Sequence, residues 1–260
     1  MSAAPATASR AGRIPHVVWA AIAGAWAFAI AVEASGSAHL LRHDGLVEAG
    51  PSLWMGLALS LAVWQAMTVA MMVPSSLPLI RLFAHASSGQ QRPRAAMSAF
   101  LGGYVVVWTG FAILAFLGDA GLHRAVGASP WLQDAEWAIG GAVLSLAGAF
   151  QFTSLKESCL RQCRHPGAFL LRYYERGPAG GFRLDARHGL FCVGCCWALM
   201  LVMFAIGVAN LVWMAILTAL MVHEKTRPLG ARTVPITGIA LLGAASIVLL
   251  YSAYSAGVLG

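Results

Sequence analysis

Cys159 and Cys163 stand four residues apart, and Cys192, Cys195 and Cys196 stand at i, i+3 and i+4. On an α-helix each of these spacings gathers its thiols on one face. The chain has 5 cysteines, and none lies outside the segment from Cys159 to Cys196. Clustered thiols in a reducing compartment point to metal or redox chemistry ahead of structural disulfides. Thiolate and thioether sulfur select soft ions such as Cu(I). The five cysteines are therefore the candidate metal ligands. Further soft atoms follow the same spacing. Cys192, Cys196, Met200 and Met203 make one sulfur stripe, and Met67 and Met71 share a face with Met72 beside them, just before Pro74. Met71, Met72 and Met200 are additional candidate ligands, as is the imidazole of His188. Met214 and Met221 lead on to His223 and Glu224. His165, just before Pro166, reads first as a turn residue.

The elements that must position these sulfurs are membrane helices. The chain is 59% hydrophobic and 10% charged, with a mean hydropathy of +0.72. An ordinary soluble domain is about 45–50% apolar. The expected fold class is all-α, a polytopic transmembrane helical bundle, with the lipid bilayer as its first partner. The net charge of +7 fits basic cytoplasmic loops. No basic-aromatic pattern of a nucleic-acid module is present, and no nucleic acid partner is expected.

A span needs roughly 20 mostly apolar residues. Six stretches qualify, at about 17–34, 53–73, 98–118, 136–155, 190–208 and 234–256. The uncharged stretch 190–222 is long for one span and short for two. If it turns near Gly207–Asn210, there are seven spans, with the sixth at 210–223. All 17 Lys and Arg residues except Arg42 and Arg124 then fall on one side. The positive-inside rule thus predicts seven spans, the N-terminus cytoplasmic and the C-terminus periplasmic. The expected location is the bacterial inner membrane, multi-pass. Residues 1–16 are expected to be a disordered cytoplasmic N-terminus. Residues 17–260 are expected to form a single transmembrane domain with a cytoplasmic loop at 156–188. Within that loop a helical extension (Lys156–Cys163), a break at His165-Pro166, an amphipathic piece (Phe169–Arg176) on the inner membrane surface and a Gly-rich turn at 177–181 are expected.

This topology brings both cysteine groups to the cytoplasmic membrane edge. Gln65, Gln151 and Asn210 are polar groups inside spans, where helix-to-helix hydrogen bonding is the first expectation. Near the outer face only His39, His43 and His123 offer ligand atoms. No nucleotide loop, Ser-His-Asp order or pair of catalytic carboxylates stands out, and no enzyme is expected.

Four segments carry a resemblance: AMMVPSSLP (70–78), FQFTSLKESCLRQCRHP (150–166), HGLFCVGCCWALM (188–200) and LVWMAILTALMVHEK (211–225). In these the chain resembles DUF2182, a bacterial family described as predicted metal-binding integral membrane proteins. The resemblance extends from the second span onward and implies a membrane bundle that binds metal, copper being the metal usually suggested.

Three functions remain open on the sequence. The first is handling of Cu(I) by binding, chaperoning or transport, with a metal-donor or acceptor protein as partner. The second is a scaffold or assembly factor in which Cys159, Cys163, Cys192 and Cys195 close a structural zinc site. The third is a membrane thiol oxidoreductase. Cys196, a fifth thiol, is surplus to a four-cysteine zinc cage and favours the first.

Overall fold

The computed structural model describes residues 14–35, 53–129, 133, 137–206 and 210–255. Among the described residues the chain forms ten helices and no strand. They are α1 (His16–Ala34), α2 (Leu53–Met71), α3 (Val73–Ser87), α4 (Pro93–Ala128), α5 (Trp137–Phe150), α6 (Ser154–Arg164), α7 (Pro166–Tyr173), α8 (Gly177–Ile206), α9 (Leu211–Thr226) and α10 (Gly230–Ser255).

The lateral surface is apolar. Leu114, Ile236, Ile239, Ile247 and Leu250 are all exposed, and so are the aromatic residues Trp54, Tyr251 and Tyr254. The interior holds Lys156, Asp185, His188, Glu224 and Lys225. An apolar surface over a core that encloses a few charged groups suits lipid as solvent. Five helices, α1, α2, α4, α8 and α10, are long and apolar enough to cross a membrane. α5 and α6 together pass the same test but bend by 65° at their junction. α9 has 16 residues and reaches about 24 Å.

α8 is the central element. It packs along α4 and also touches α5, α6 and α9, while α10 covers α5 and α1 covers α2. The α4–α8 contact is close because Gly103 has no side chain. A Cβ there would collide with the backbone at Phe182 and Ala186. Small residues at helix crossings are how membrane helices gain packing without a hydrophobic drive.

The segment 156–188 is helical through most of its length. Thr153 starts α6, its hydroxyl accepting the Lys156 N–H at 3.2 Å, as an N-cap should. His165 separates α6 from α7, as the proline at 166 requires. Gly177 to Gly181 open α8 instead of forming the expected turn. Gly177 takes a positive φ of 86° and Pro178 follows at the first turn, where a missing N–H costs nothing. α8 therefore begins well before the apolar run that suggested a span from 190. α7 covers part of the expected amphipathic piece. Phe169 and Leu170 are buried in a protein core with Phe83 and Phe100, so the bundle, not lipid, takes up these two apolar side chains.

The stretch 190–222 divides into two helices, α8 and α9. Asn210 caps α9 by accepting the Trp213 N–H at 3.2 Å. Residues 1–13, His39 and His43 lie outside the described residues, as does the turn at 207–209.

Candidate metal centre

α6 and α8 bring the two cysteine groups together. Cys159 and Cys163 lie on the face of α6 that meets α8. The Cys159 thiol rests on Gly194, where an added Cβ would come within 2.6 Å of its sulfur. Cys163 lies beside Cys195, and the two side chains interact directly. All five cysteines are free and buried, and all five belong to one buried cluster with Met71, Met72 and Met200.

The thiols adjoin, but their present partners differ. Cys195 and Cys196 both donate to the Cys192 carbonyl, at 3.2 Å and 2.8 Å. Cys196 also approaches the thioether of Met72, Sγ to Sδ 3.6 Å. Cys192 Sγ is 3.1 Å from the Tyr104 hydroxyl. Among the described residues no three His, Cys, Asp or Glu side chains surround one point as a ready-made ligand set. A cysteine has one side-chain torsion that moves its sulfur, so rotations about χ1 are the movement that would make these neighbours converge.

The centre holds a cation of its own. Lys225 is 6% exposed. Its Nζ donates to Cys192 Sγ at 3.1 Å, to Ser75 Oγ at 3.3 Å and to Cys196 Sγ at 4.0 Å. A buried ammonium demands compensating negative charge or hydrogen bonding, and here the Cys192 sulfur is its nearest acceptor. A second charged pair braces the same place. Lys156 of α6 donates to Glu224 of α9 at 2.8 Å. Arg164 adds bonds to the carbonyls of Glu224, Arg227 and Pro228 at 2.5, 2.9 and 3.0 Å. These bonds fasten the end of α6 to the end of α9.

His188 lies one helical turn before Cys192. Its Nδ1 is 3.1 Å from Asp185 Oδ1, and its ring stacks on Tyr104 at 5.6 Å. Tyr104 in turn reaches Cys192, so His188 borders the thiols through that tyrosine. Gln65 donates across to Thr109 Oγ1 on α4 at 2.6 Å, whereas Gln151 donates to the Ala147 carbonyl of the preceding turn at 3.0 Å instead of to another helix, and its Oε1 is buried without a hydrogen-bond partner.

Lys225, Lys156, Tyr104 and Ser75 were not among the candidate site residues. The lysines counted as loop charges in the topology argument, because linear sequence places them just beyond apolar runs. The available signal was the order His223-Glu224-Lys225, which puts opposite charges side by side at the cysteine level.

A family model described as "PpoB2: Copper chaperone" matches residues 61–248. No curated protein and no solved structure matches the chain. The match spans all five cysteines, Lys225 and the helices that carry them, and it supports the earlier resemblance at the level of a copper-handling membrane family. The chain belongs to the PpoB2 copper chaperone family.

Proposed function

We propose that this chain is an integral membrane protein of the bacterial inner membrane that holds Cu(I) as cargo at Cys159, Cys163, Cys192, Cys195 and Cys196. It accepts the ion from, or passes it to, a protein partner, and carries out no covalent chemistry. The observation that carries the reading is one buried cluster that holds all five free cysteines and Met72, whose thioether Cys196 approaches at 3.6 Å. That donor set is soft, and Cu(I) is the abundant soft monovalent ion. His188, Met71, Met72 and Met200 are supporting ligands in this reading.

Charge supports it further. Two thiolates and one Cu(I) carry a net charge of −1. Lys225, already hydrogen-bonded to Cys192, compensates that charge inside the bundle. Each thiol that takes up the ion gives up its proton, so affinity falls as pH falls, by about tenfold per pH unit for each proton released. The seven-span topology, N-terminus cytoplasmic and C-terminus periplasmic, completes the proposal. It sets the thiols at the cytoplasmic edge, where thiols stay reduced.

The test is anaerobic titration of purified, reduced protein with Cu(I) and Zn(II) against competing chelators, for the wild type and for Cys196→Ser. Copper handling predicts tight Cu(I) binding that Cys196→Ser weakens. Zn(II) at one per chain, untouched by Cys196→Ser, would move the site to a structural zinc role. A reversible disulfide in cells with no stoichiometric metal would make the protein a thiol oxidoreductase.

A further inference from the structure

Seven of the ten methionines, Met67, Met71, Met72, Met200, Met203, Met214 and Met221, lie in the same buried cluster as the five thiols. None is more than 3% exposed. Six come from three helices, α2, α8 and α9, and Met72 stands between α2 and α3. Contacts at the thiol level fix how these helices run past one another. Cys196 meets Met72, and Lys225 meets Cys192.

From that level the sulfur series descend together. On α8, Met200 and Met203 lie beyond Cys196, and Met203 is about 10 Å further along the axis. α9 returns alongside α8, so Met221 and then Met214 lie on the way back from Lys225, Met214 about 16 Å away. On α2, Met67 is about 7 Å from Met72. The direction on α2 is set by its partners. Tyr104 of α4 touches Cys192, while Gln65 bonds Thr109 and Trp64 packs on Trp108, one turn further along α4. α4 and α8 run parallel, because Gly181 of α8 lies against Ala96, and Gly189 against Val107. Met67 therefore lies on the side of Met200 and Met203, away from the charged end.

We infer that Met67, Met203 and Met214 form a second, thioether-only Cu(I) site deeper in the bundle, reached from the thiols through Met72, Met200 and Met221. The inference rests on the copper reading of the thiol cluster. Leucine would fill this volume equally well, but it offers no donor atom; methionine adds a soft, uncharged one. Thioethers carry no proton to displace and no charge to balance the ion. Cu(I) held here keeps its positive charge. Such a site binds more weakly than thiolates and releases more readily. It is a relay that leads the ion away from the charged edge toward the middle of the bundle.

Cu(I) titration of the full chain, with X-ray absorption to count sulfur neighbours, tests this. The wild type should bind two Cu(I) per chain, and Met67→Leu/Met203→Leu/Met214→Leu, a volume-conserving change, should bind one. In a variant with all five cysteines replaced by serine, one Cu(I) should remain. Its affinity should change less than about threefold between roughly pH 7 and pH 5.5, since no proton competes. Adding the three leucines to that variant should weaken it by at least about tenfold. If the wild type binds one Cu(I) that is lost with the cysteines and indifferent to the leucines, the relay is overturned while the thiol site stands. If the wild type binds no Cu(I), both readings fall. Should the cysteine-free variant fail to fold, the stoichiometry of the cysteine-intact leucine variant still decides.

Discussion

Lys156 Nζ lies 2.8 Å from Glu224 Oε2, and both side chains are almost wholly enclosed. The pair joins the helix bearing Cys159 and Cys163 to the helix bearing Lys225. It sets the thiols of α6 in register with Lys225 of α9 across 68 residues of sequence.

Removing one partner leaves a buried charge without its counter-ion. Glu224→Leu should destabilise the protein by about 3–5 kcal/mol. Lys156→Met/Glu224→Leu together should recover most of that loss, because no charge then remains to be buried. Thermal unfolding in detergent, compared among the two single variants and the double variant, checks this. Equal losses in single and double variants would mean that the pair contributes only packing.

Gly194→Ala tests the approach of α6 to α8. The new methyl group would meet Cys159 Sγ at 2.6 Å, and the overpacking should cost about 1–3 kcal/mol. Cu(I) affinity should fall with every thiol still present. Gly110→Ala is the control, since nothing lies within 4 Å of an added Cβ there. That change should be neutral or mildly stabilising, as alanine is the better helix former. Unchanged Cu(I) binding in Gly194→Ala would show that the two cysteine groups act separately.

Lys225→Met removes the cation from the thiol centre. Cu(I) affinity should drop by about tenfold, equal to about 1.4 kcal/mol, because the anionic copper–dithiolate then lacks its counter-charge. The fold should persist, since a buried charge has been exchanged for an apolar group of similar length. Tighter Cu(I) binding in this variant would mean that the ammonium competes with the metal instead of compensating it.

Topology can be read with reporter fusions. α4 runs from Pro93 to Ala128 as one helix, so fusions after residues 90 and 128 should report opposite sides, cytoplasmic and periplasmic. A fusion after residue 229, between α9 and α10, should agree with residue 90. A periplasmic signal at 229 would mean that α8 and α9 together cross the membrane once.

The periodicity of the cysteines and the run of apolar segments were legible in the chain itself. Spacings of three and four define helix faces whatever the tertiary fold, and α1, α2, α4, α8 and α10 are long and apolar enough to cross a membrane. The division of 190–222 into two helices was also legible, because a single span would have set Lys225, Arg227 and Arg232 opposite the other basic loops; that Asn210 caps α9 instead of bonding to another helix was not. The roles of Lys156 and Lys225 were not. A lysine at the end of an apolar run looks the same whether it extends into water or folds back on a neighbouring helix. Only the packing of α6 and α9 decided which. Nor could spacing reveal that Gly194 would admit the Cys159 thiol, or that Met72 would lie against Cys196, since both depend on the relative heights of helices distant in sequence. Local sequence determined which side chains share a face. The close approach of α4, α6 and α9 to α8 decided which faces meet, because side-chain volume and charge pairing across helices act only after the bundle has formed.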